Sequence, residues 1–145
     1  MEKFLSLKKK IKKNEGFRNK PYLDTLGYST IGYGHLITNK EKKMLKGKFS
    51  KKFLTELFDK DFKKALFSYK KNFNHKKHSK DIKEVLIEMI FQLGIQNVLK
   101  FRKMINSIKK NDYITASEEM FRSKWYLQTP NRVKILAKIM KKNNV

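Results

Sequence analysis

The chain has 145 residues, enough for one domain or two small lobes sharing a helix, and its 39% hydrophobic content with 11 Phe can form a core. No cysteine occurs, which excludes disulfides and thiolate metal sites. With 36 Lys and Arg against 13 Asp and Glu, the formal charge of +23 indicates a polyanionic partner: nucleic acid, an anionic membrane or a bacterial wall polymer. Few of these cations are Arg, which favours diffuse attraction over base reading, and an AT-rich genome is an alternative source of the Lys.

The N-terminal segment predicts no export signal. Lysines interrupt residues 1–13 throughout, so the segment lacks the apolar run that a signal peptide needs. No stretch is long and apolar enough to span a bilayer. We therefore expect synthesis in a reducing compartment, the cytoplasm, and delivery by another component if the target lies outside it.

The first half of the chain predicts a short helix followed by a hairpin. Residues 2–13 read as a helix because Phe4, Leu7 and Ile11 recur on one face. Residues 17–38 are rich in Gly, Tyr, Thr and Ile, a composition typical of a hairpin, and they form the one convincing β region of the sequence.

Alternation along the hairpin assigns its side chains to two faces. Tyr28, Thr30 and Leu36 share one face in an extended segment, whereas Ile31 and His35 share the other. Thr30 and His35 should therefore point in opposite directions.

The rest of the chain predicts helices. Ser50 is a plausible N-cap for a long helix through about Tyr69, and an apolar stripe over residues 82–93 predicts the core helix of the larger lobe, ended by Gly94. Thr129 is a plausible N-cap before Pro130 at a first helical position. Further helices are predicted near residues 96–109, 113–121 and 130–142.

These elements predict an α+β, mostly helical fold. We expect a single domain over residues 1–145, with a small hairpin lobe at about residues 14–50 and a linking helix at 51–70. The helical lobe would comprise residues 71–145 together with the helix over residues 2–13.

Two acidic residues flank the glycine-rich hairpin in a strongly cationic chain. Glu15 lies at the predicted carboxyl end of the first helix, where the helix dipole disfavours a second negative charge and should raise its pKa, as suits a proton donor. Asp24 lies in the loop before the hairpin, and the Thr30 hydroxyl could orient a water. An acid, a base and a water-orienting group form a plausible hydrolase site. Alternatively, Glu15 is a surface residue paired with Arg18, and Asp24 is only a turn former.

Three separated motifs resemble the T-even phage lysozymes, glycoside hydrolase family 24. The first comprises NEGFR, YLDT and GYSTIGYGHL at residues 14–18, 22–25 and 27–36; the others are FQLG at 91–94 and SKWY with QTPNR at 123–132. The resemblance covers nearly the whole chain and implies a lysozyme-like two-lobe fold. It also implies a muramidase that hydrolyses the β-1,4 bond between N-acetylmuramic acid and N-acetylglucosamine in peptidoglycan.

Carried over by matching positions, the resemblance gives the site residues their roles. Glu15 would be the general acid, Asp24 the carboxylate serving the water or the developing cation, and Thr30 its partner in positioning. Two supporting contacts are implied as well. Arg132 would approach Glu15, holding it and lowering its pKa against the effect of the helix end, and His35 would pair with Asp61.

The resemblance also implies saccharide contacts. Leu36 and Phe91 would line the saccharide cleft, although both could equally be core residues. Two other saccharide-contacting positions of the family align with Met104 and Glu119, which lack the expected polar type and are not assigned to the site. Only residues 39–49 stand where the family usually has another short helix, so the small lobe should be trimmed.

Competing functions remain open on the sequence. The chemistry requires no metal or cofactor; His75 and His78 have a spacing open to a metal, but neighbouring lysines oppose a cation. A cationic, helical nucleic-acid binder would explain the charge alone, and a non-catalytic wall binder or membrane-disrupting agent would act through the basic helices. We expect a monomeric endolysin that binds peptidoglycan, contacts no nucleic acid, does not insert stably into membranes and waits in the host cytoplasm before lysis.

Overall fold

The computed structural model describes residues 4–73 and 77–144. By its internal contacts the chain divides into two compact units, Met1–Lys64 and Ala65–Val145. The first contains the sheet, and the second is helical. The α+β, mostly helical class predicted from the sequence is therefore confirmed.

The described part of the first unit, residues 4–64, contains one complete helix, three strands and the start of a long helix. In chain order these elements are α1 (Leu5–Glu15), β1 (Arg18–Leu23), β2 (Ser29–Gly32), β3 (His35–Leu36) and α2 (Lys51–Phe73). The boundary between the units lies within α2. The hydroxyl of Ser50 accepts a hydrogen bond of 3.1 Å from the Phe53 amide, which confirms the predicted N-cap.

The three strands form an antiparallel sheet in the order β1-β2-β3. Thr30 pairs with Leu36 and Ile31 pairs with His35 across β2 and β3. Because directly opposed residues project from the same face, this register confirms that Thr30 and His35 point in opposite directions. The Ile31 face packs into a core with Leu45 and Leu54.

Aromatic and cationic side chains join α1 to α2. Phe4 lies 5.8 Å from the Phe62 ring, and the Lys8 ammonium lies over that ring and 3.4 Å from an Asp59 oxygen. Leu7 and Ile11, on the same helix, are buried. The helix predicted over residues 2–13 was grouped with the helical lobe, whereas these contacts place α1 in the first unit; the lobe boundaries themselves stay a prediction.

The second unit begins with the end of α2 and is built from short helices. These are α3 (Lys80–Leu93), α4 (Ile95–Leu99), α5 (Arg102–Lys109), α6 (Tyr113–Phe121), α7 (Lys124–Gln128) and α8 (Pro130–Lys142). Helix α8 packs against α3, α6 and α7. The core contains four methionines that are fully buried: Met89, Met104, Met120 and Met140.

The predicted helices agree with this unit except at two places. The helix predicted over residues 96–109 is divided into α4 and α5, with the break at Lys100 and Phe101. The Phe101 ring packs edge-on against Trp125, with the ring centroids 6.0 Å apart, and the Phe101 backbone departs from helical geometry. Helix α7 was not predicted. None of the described helices is both long and apolar enough to cross a bilayer.

Candidate active site

Glu15 is the last residue of α1 and is half-buried. Its carboxylate lies directly against the backbone of Gly34, at the turn between β2 and β3. A methyl group on Gly34 would collide with the Glu15 carboxylate, so this close approach requires a glycine. Gly34 also has φ of 77°, in the left-handed region that glycine adopts readily. The turn between the strands therefore forms one wall around the predicted proton donor.

Asp24 organises the loop between β1 and β2. Its Oδ1 accepts hydrogen bonds from the amides of Leu26 at 2.9 Å and Tyr28 at 2.8 Å. Its own amide donates to the Tyr28 carbonyl, closing the loop. The described residues donate no hydrogen bond to Oδ2, so this oxygen can accept a proton from a water. Asp24 therefore forms a turn, as the alternative interpretation of the sequence proposed. Its second carboxylate oxygen is still available to act as a base.

Thr30 is almost fully buried, with 2% of its surface exposed. Its hydroxyl donates a hydrogen bond of 2.8 Å to the Tyr28 carbonyl. Because that bond uses the only hydroxyl proton, the oxygen is fixed as an acceptor. A water placed beside Thr30 would therefore donate to it.

Tyr22 responds to both acidic residues and was not predicted as a site residue. It pairs with Thr30 across β1 and β2, so the two side chains share a face of the sheet. Burial raises the pKa of the Tyr22 phenol, the charges of Glu15 and Asp24 raise it further, and Arg18 lowers it. The two carboxylates therefore act on one point of this face. The signal that could have found Tyr22 is its place in the YLDT motif, two residues before Asp24.

The comparisons with known proteins identify the family. The family model described as "Phage lysozyme" matches residues 12–142. The chain belongs to the phage lysozyme family. It is therefore a glycoside hydrolase of the lysozyme type, a muramidase, and peptidoglycan is the substrate class that the family implies.

Two similar relatives come from Dictyostelium discoideum. "Probable T4-type lysozyme 1" is 35% identical over 88% of both chains, and "Probable T4-type lysozyme 2" is 34% identical with the same coverage. The "Pre-baseplate central spike protein Gp5" of Enterobacteria phage T4 is 28% identical over 97% of this chain, which corresponds to 28% of that longer protein.

Two separated motifs of this lysozyme meet in its second unit. The Trp125 indole donates a hydrogen bond of 2.8 Å to the side-chain oxygen of Gln92, whose amide nitrogen donates to the Thr129 hydroxyl at 3.2 Å. Gln92 belongs to the FQLG motif, and the other two residues belong to the late motif. These hydrogen bonds join the two motifs through their side chains.

Arg132 of the lysozyme forms a buried ion pair with Glu88, in which its Nε donates to Oε2 at 2.8 Å. Sequence reasoning missed this partner; the available signal was an acidic residue inside the apolar stripe of α3. The predicted approach of Arg132 to Glu15 stays a prediction. So do the saccharide contacts of Leu36, which is 53% exposed, and Phe91, which is half-buried.

The sequence analysis left Met104, Glu119 and two histidines outside the predicted site. Met104 is fully buried, and Glu119 pairs with Arg122 at 2.8 Å. His78 accepts or donates a short hydrogen bond of 2.6 Å with the Tyr69 hydroxyl, while His75 lies outside the described residues. Over residues 4–73 and 77–144, no group of three or more acidic, His or Cys residues could hold a metal ion.

His35 ties the sheet of the lysozyme to α2. Its Nδ1 lies 2.7 Å from Asp61, the predicted partner, and its Nε2 lies 3.0 Å from Glu41, a partner that the sequence analysis missed. Thr38 and Glu41 bond reciprocally as a capping box. The T-x-x-E pattern at residues 38–41 was the signal for this turn.

We expect this cluster to make stability depend on pH. Burial acts to lower the His35 pKa, but Asp61 and Glu41 outweigh it, so the pKa is raised above 6.5. The stabilisation is therefore complete below about pH 6.5 and is lost as pH rises through the folded pKa. For Glu41, burial acts to raise the pKa, but hydrogen bonds from Thr38 and His35 lower it below 4.5. Its contribution is present above about pH 4.5 and is lost as pH falls through the lowered value.

Urea unfolding at about pH 5.5 and about pH 8.5 measures the His35 contribution. Wild type should lose more stability between the two than His35→Gln, by on the order of 1 kcal/mol per unit of pKa shift. Equal losses in the two proteins would show that His35 binds protons equally in the folded and unfolded chains.

Gly34→Ala is expected to impair catalysis more than stability. The added methyl group should displace the Glu15 carboxylate and lower kcat by about 10- to 100-fold, since small misplacements of a catalytic group have effects of this size. Gly47→Ala is the matched control, because Gly47 also has a positive φ, of 81°, but its added Cβ would have no described atom within 4 Å beyond its own residue and chain neighbours. Both variants should lose about 1 kcal/mol of unfolding free energy. Equal activities of the two variants would contradict the proposed constraint on Glu15.

Proposed function

We propose that this lysozyme cleaves the β-1,4 bond between N-acetylmuramic acid and N-acetylglucosamine with Glu15 as general acid and Asp24 as general base. The observation that supports this most directly is the joint effect of the two carboxylates on Tyr22, beside Thr30 on one face of the sheet. Glycoside hydrolysis requires an acid and a base that act on the same glycosidic bond.

The proposed reaction transfers one proton to the leaving group and removes one from water. Glu15 donates its proton to the glycosidic oxygen as the C1–oxygen bond breaks. A water donates one hydrogen bond to Oδ2 of Asp24 and the other to the Thr30 oxygen, which is fixed as an acceptor. The water oxygen then attacks C1 from the opposite face, and its proton passes to Asp24.

This arrangement predicts inversion at the anomeric carbon. Inverting glycosidases hold their two carboxyl groups roughly 6.5 to 9.5 Å apart, which leaves room for the water, whereas retaining enzymes hold them at about 5 Å. The first product should therefore carry its new reducing end as the α-anomer.

Digestion of purified sacculi tests this proposal. Mass analysis of the fragments should find muramic acid at the reducing ends, and rapid NMR should find the α-anomer before mutarotation. N-acetylglucosamine at the reducing ends would show that the enzyme cleaves a different glycosidic bond and would overturn the proposed specificity. A β-anomer as the first product would overturn the inverting mechanism while leaving the muramidase activity intact.

We also propose that the protein is a monomeric endolysin that stays in the host cytoplasm until a membrane pore opens, and then causes lysis. Membership of the phage lysozyme family supports this reading. Expression in a bacterium tests it. Cells should stay intact until their membrane is permeabilised, and lysis before permeabilisation would overturn the proposed location.

A non-enzymatic alternative follows from the charge of +23. Clearing of wall suspensions by polycation binding alone would need neither carboxylate. The Glu15 variant described in the Discussion separates the two functions.

A further inference from the structure

The side chain of Lys12 lies over two aromatic rings beside the turn that contacts Glu15. Its ammonium lies 5.3 Å from the centre of the Tyr33 ring and 5.0 Å from the centre of the Phe58 ring. The two rings pack edge-on against each other, with their centres 5.7 Å apart. A cation is attracted to the face of an aromatic ring, and more strongly when it is partly removed from water. Because Lys12 is half-buried, its contact with the rings is more than that of a solvated surface charge.

Tyr33 belongs to the turn that forms a wall beside the candidate proton donor. Tyr33 and Gly34 are the two residues between β2 and β3. The backbone of Gly34 lies directly against the Glu15 carboxylate. Because Tyr33 is joined to Gly34 in this turn, a displacement of the Tyr33 ring would also shift the backbone that Glu15 contacts.

The Tyr33 ring contacts the chain on both sides of Glu15. Lys12 precedes Glu15 by almost one helical turn, and its carbonyl accepts the hydrogen bond of 3.0 Å from the Gly16 amide that closes α1. Phe17 follows Glu15 by two residues, and its ring centre lies 4.9 Å from that of Tyr33. These two contacts with one ring therefore hold the end of α1 and the turn together around Glu15.

We propose that Lys12 and Tyr33 are positioning residues for Glu15, which hold the turn against α1 so that the carboxylate keeps its place beside Gly34. The inference rests on the proposed function, in which Glu15 is the general acid. Proton transfer requires the acid to lie about 2.6–3.2 Å from the atom that it protonates. Loosening the turn should therefore slow the chemical step without weakening substrate binding.

Lys12→Met tests this role. Methionine keeps a long apolar side chain that can pack on the two rings but carries no charge, so α1 should still fold. We expect kcat on purified peptidoglycan to fall by about five- to tenfold with KM unchanged, because a small misplacement of a catalytic group slows the reaction. Lys12→Arg retains a cation that stacks on aromatic rings and should restore most of the lost activity.

Lys8→Met is the matched control. Lys8 lies one turn earlier on α1, and its ammonium lies 5.2 Å from the centre of the Phe62 ring and 3.4 Å from an Asp59 oxygen. The substitution removes the same kind of contact, and an ion pair as well, from another part of the α1–α2 contact. It should lower the urea unfolding midpoint at least as much as Lys12→Met but keep the wild-type kcat. Equal losses of kcat in the two variants would show that activity only follows stability, and would overturn the inference.

A double-mutant cycle tests whether Lys12 acts through the Tyr33 ring. Tyr33→Leu keeps an apolar side chain in the turn but removes the ring that Lys12 and Phe17 contact. In that background Lys12→Met should lower kcat by less than about twofold, because the connection to the turn is already lost. An undiminished loss would show that the Lys12 charge acts on Glu15 by another route. Tyr33→Phe retains the ring and should keep the wild-type kcat, whereas a large loss there would assign the effect to the hydroxyl and contradict the proposal.

Glu15→Gln separates this inference from the function on which it rests. If Glu15→Gln is inactive while Lys12→Met keeps the wild-type kcat, the positioning role fails and the proposed acid stands. If Glu15→Gln hydrolyses peptidoglycan at the wild-type rate, Glu15 is not the acid and the proposed function itself fails.

Discussion

Glu15→Gln is expected to lower the rate of peptidoglycan hydrolysis by about 10³- to 10⁴-fold, since loss of a general acid has effects of this order. Gln preserves the shape of the side chain, including its contact with the Gly34 turn, but has no acidic proton to donate. Binding to sacculi should be unchanged. Released reducing ends, measured on purified walls, report the chemical step directly.

The control for this variant is a matched change elsewhere. Glu56 is exposed on α2, so Glu56→Gln makes the same chemical change outside the site. It should retain wild-type activity, and both variants should keep the thermal unfolding midpoint of wild type. If Glu15→Gln still clears wall suspensions at the wild-type rate, the clearing arises from the cationic surface and Glu15 is not the acid.

The second large loss of activity is expected from substitution of Asp24. Its role in forming the turn must be separated from its proposed role as general base. Asp24→Asn retains an oxygen that can accept from the Leu26 and Tyr28 amides, so the loop should keep its conformation. The variant removes the negative charge that would accept the proton of water. We expect kcat to fall by about 10²- to 10³-fold with little change in KM.

Asp24→Ala provides the contrast. It leaves both amides without their side-chain acceptor, so the unfolding free energy should fall by about 1–2 kcal/mol in addition to the loss of activity. Kinetics and urea unfolding of the two variants separate the roles. Full activity in Asp24→Asn, with loss only in Asp24→Ala, would reduce Asp24 to a turn former.

Local signals were sufficient to predict most elements of the fold. The apolar stripe over residues 82–93 predicts α3 because burial of one helix face repeats with the helical period. Alternation in the hairpin also predicts which residues share a face, and the register, which pairs Ile31 with His35, agrees with that prediction. Both patterns depend on neighbours in sequence and need no knowledge of distant contacts.

Tertiary contacts decide the features that were missed. The break between α4 and α5 has neither Gly nor Pro, and Phe101 departs from helical geometry while packing on Trp125. Helix α7 covers only Lys124–Gln128, which is too short for a periodic pattern to emerge. Local propensity alone cannot resolve either one.

In the candidate site, too, some residues could be predicted from the local sequence and some of their partners could not. Glu15, Asp24 and Thr30 lie within one short stretch of sequence, so an acid, a base and a hydroxyl around a hairpin could be recognised together. Two partners were missed: Glu41, which contacts Nε2 of His35, and Glu88, which pairs with Arg132. Each pair forms only when the chain folds. Pairing between side chains of different elements leaves no periodic pattern in the sequence. The family resemblance therefore predicted Asp61 as a partner of His35, but nothing in the sequence pattern predicted Glu41 or Glu88.

The buried methionines have a chemical consequence for this cysteine-free chain, whose sulfur is all in thioethers. Met44 is 72% exposed and open to oxidants, whereas Met89, Met104, Met120 and Met140 are enclosed by the second unit. A sulfoxide at any of those four would place a polar group in an apolar core. An oxidant can reach them only when the unit opens, so resistance to oxidative damage is set by how rarely the second unit unfolds.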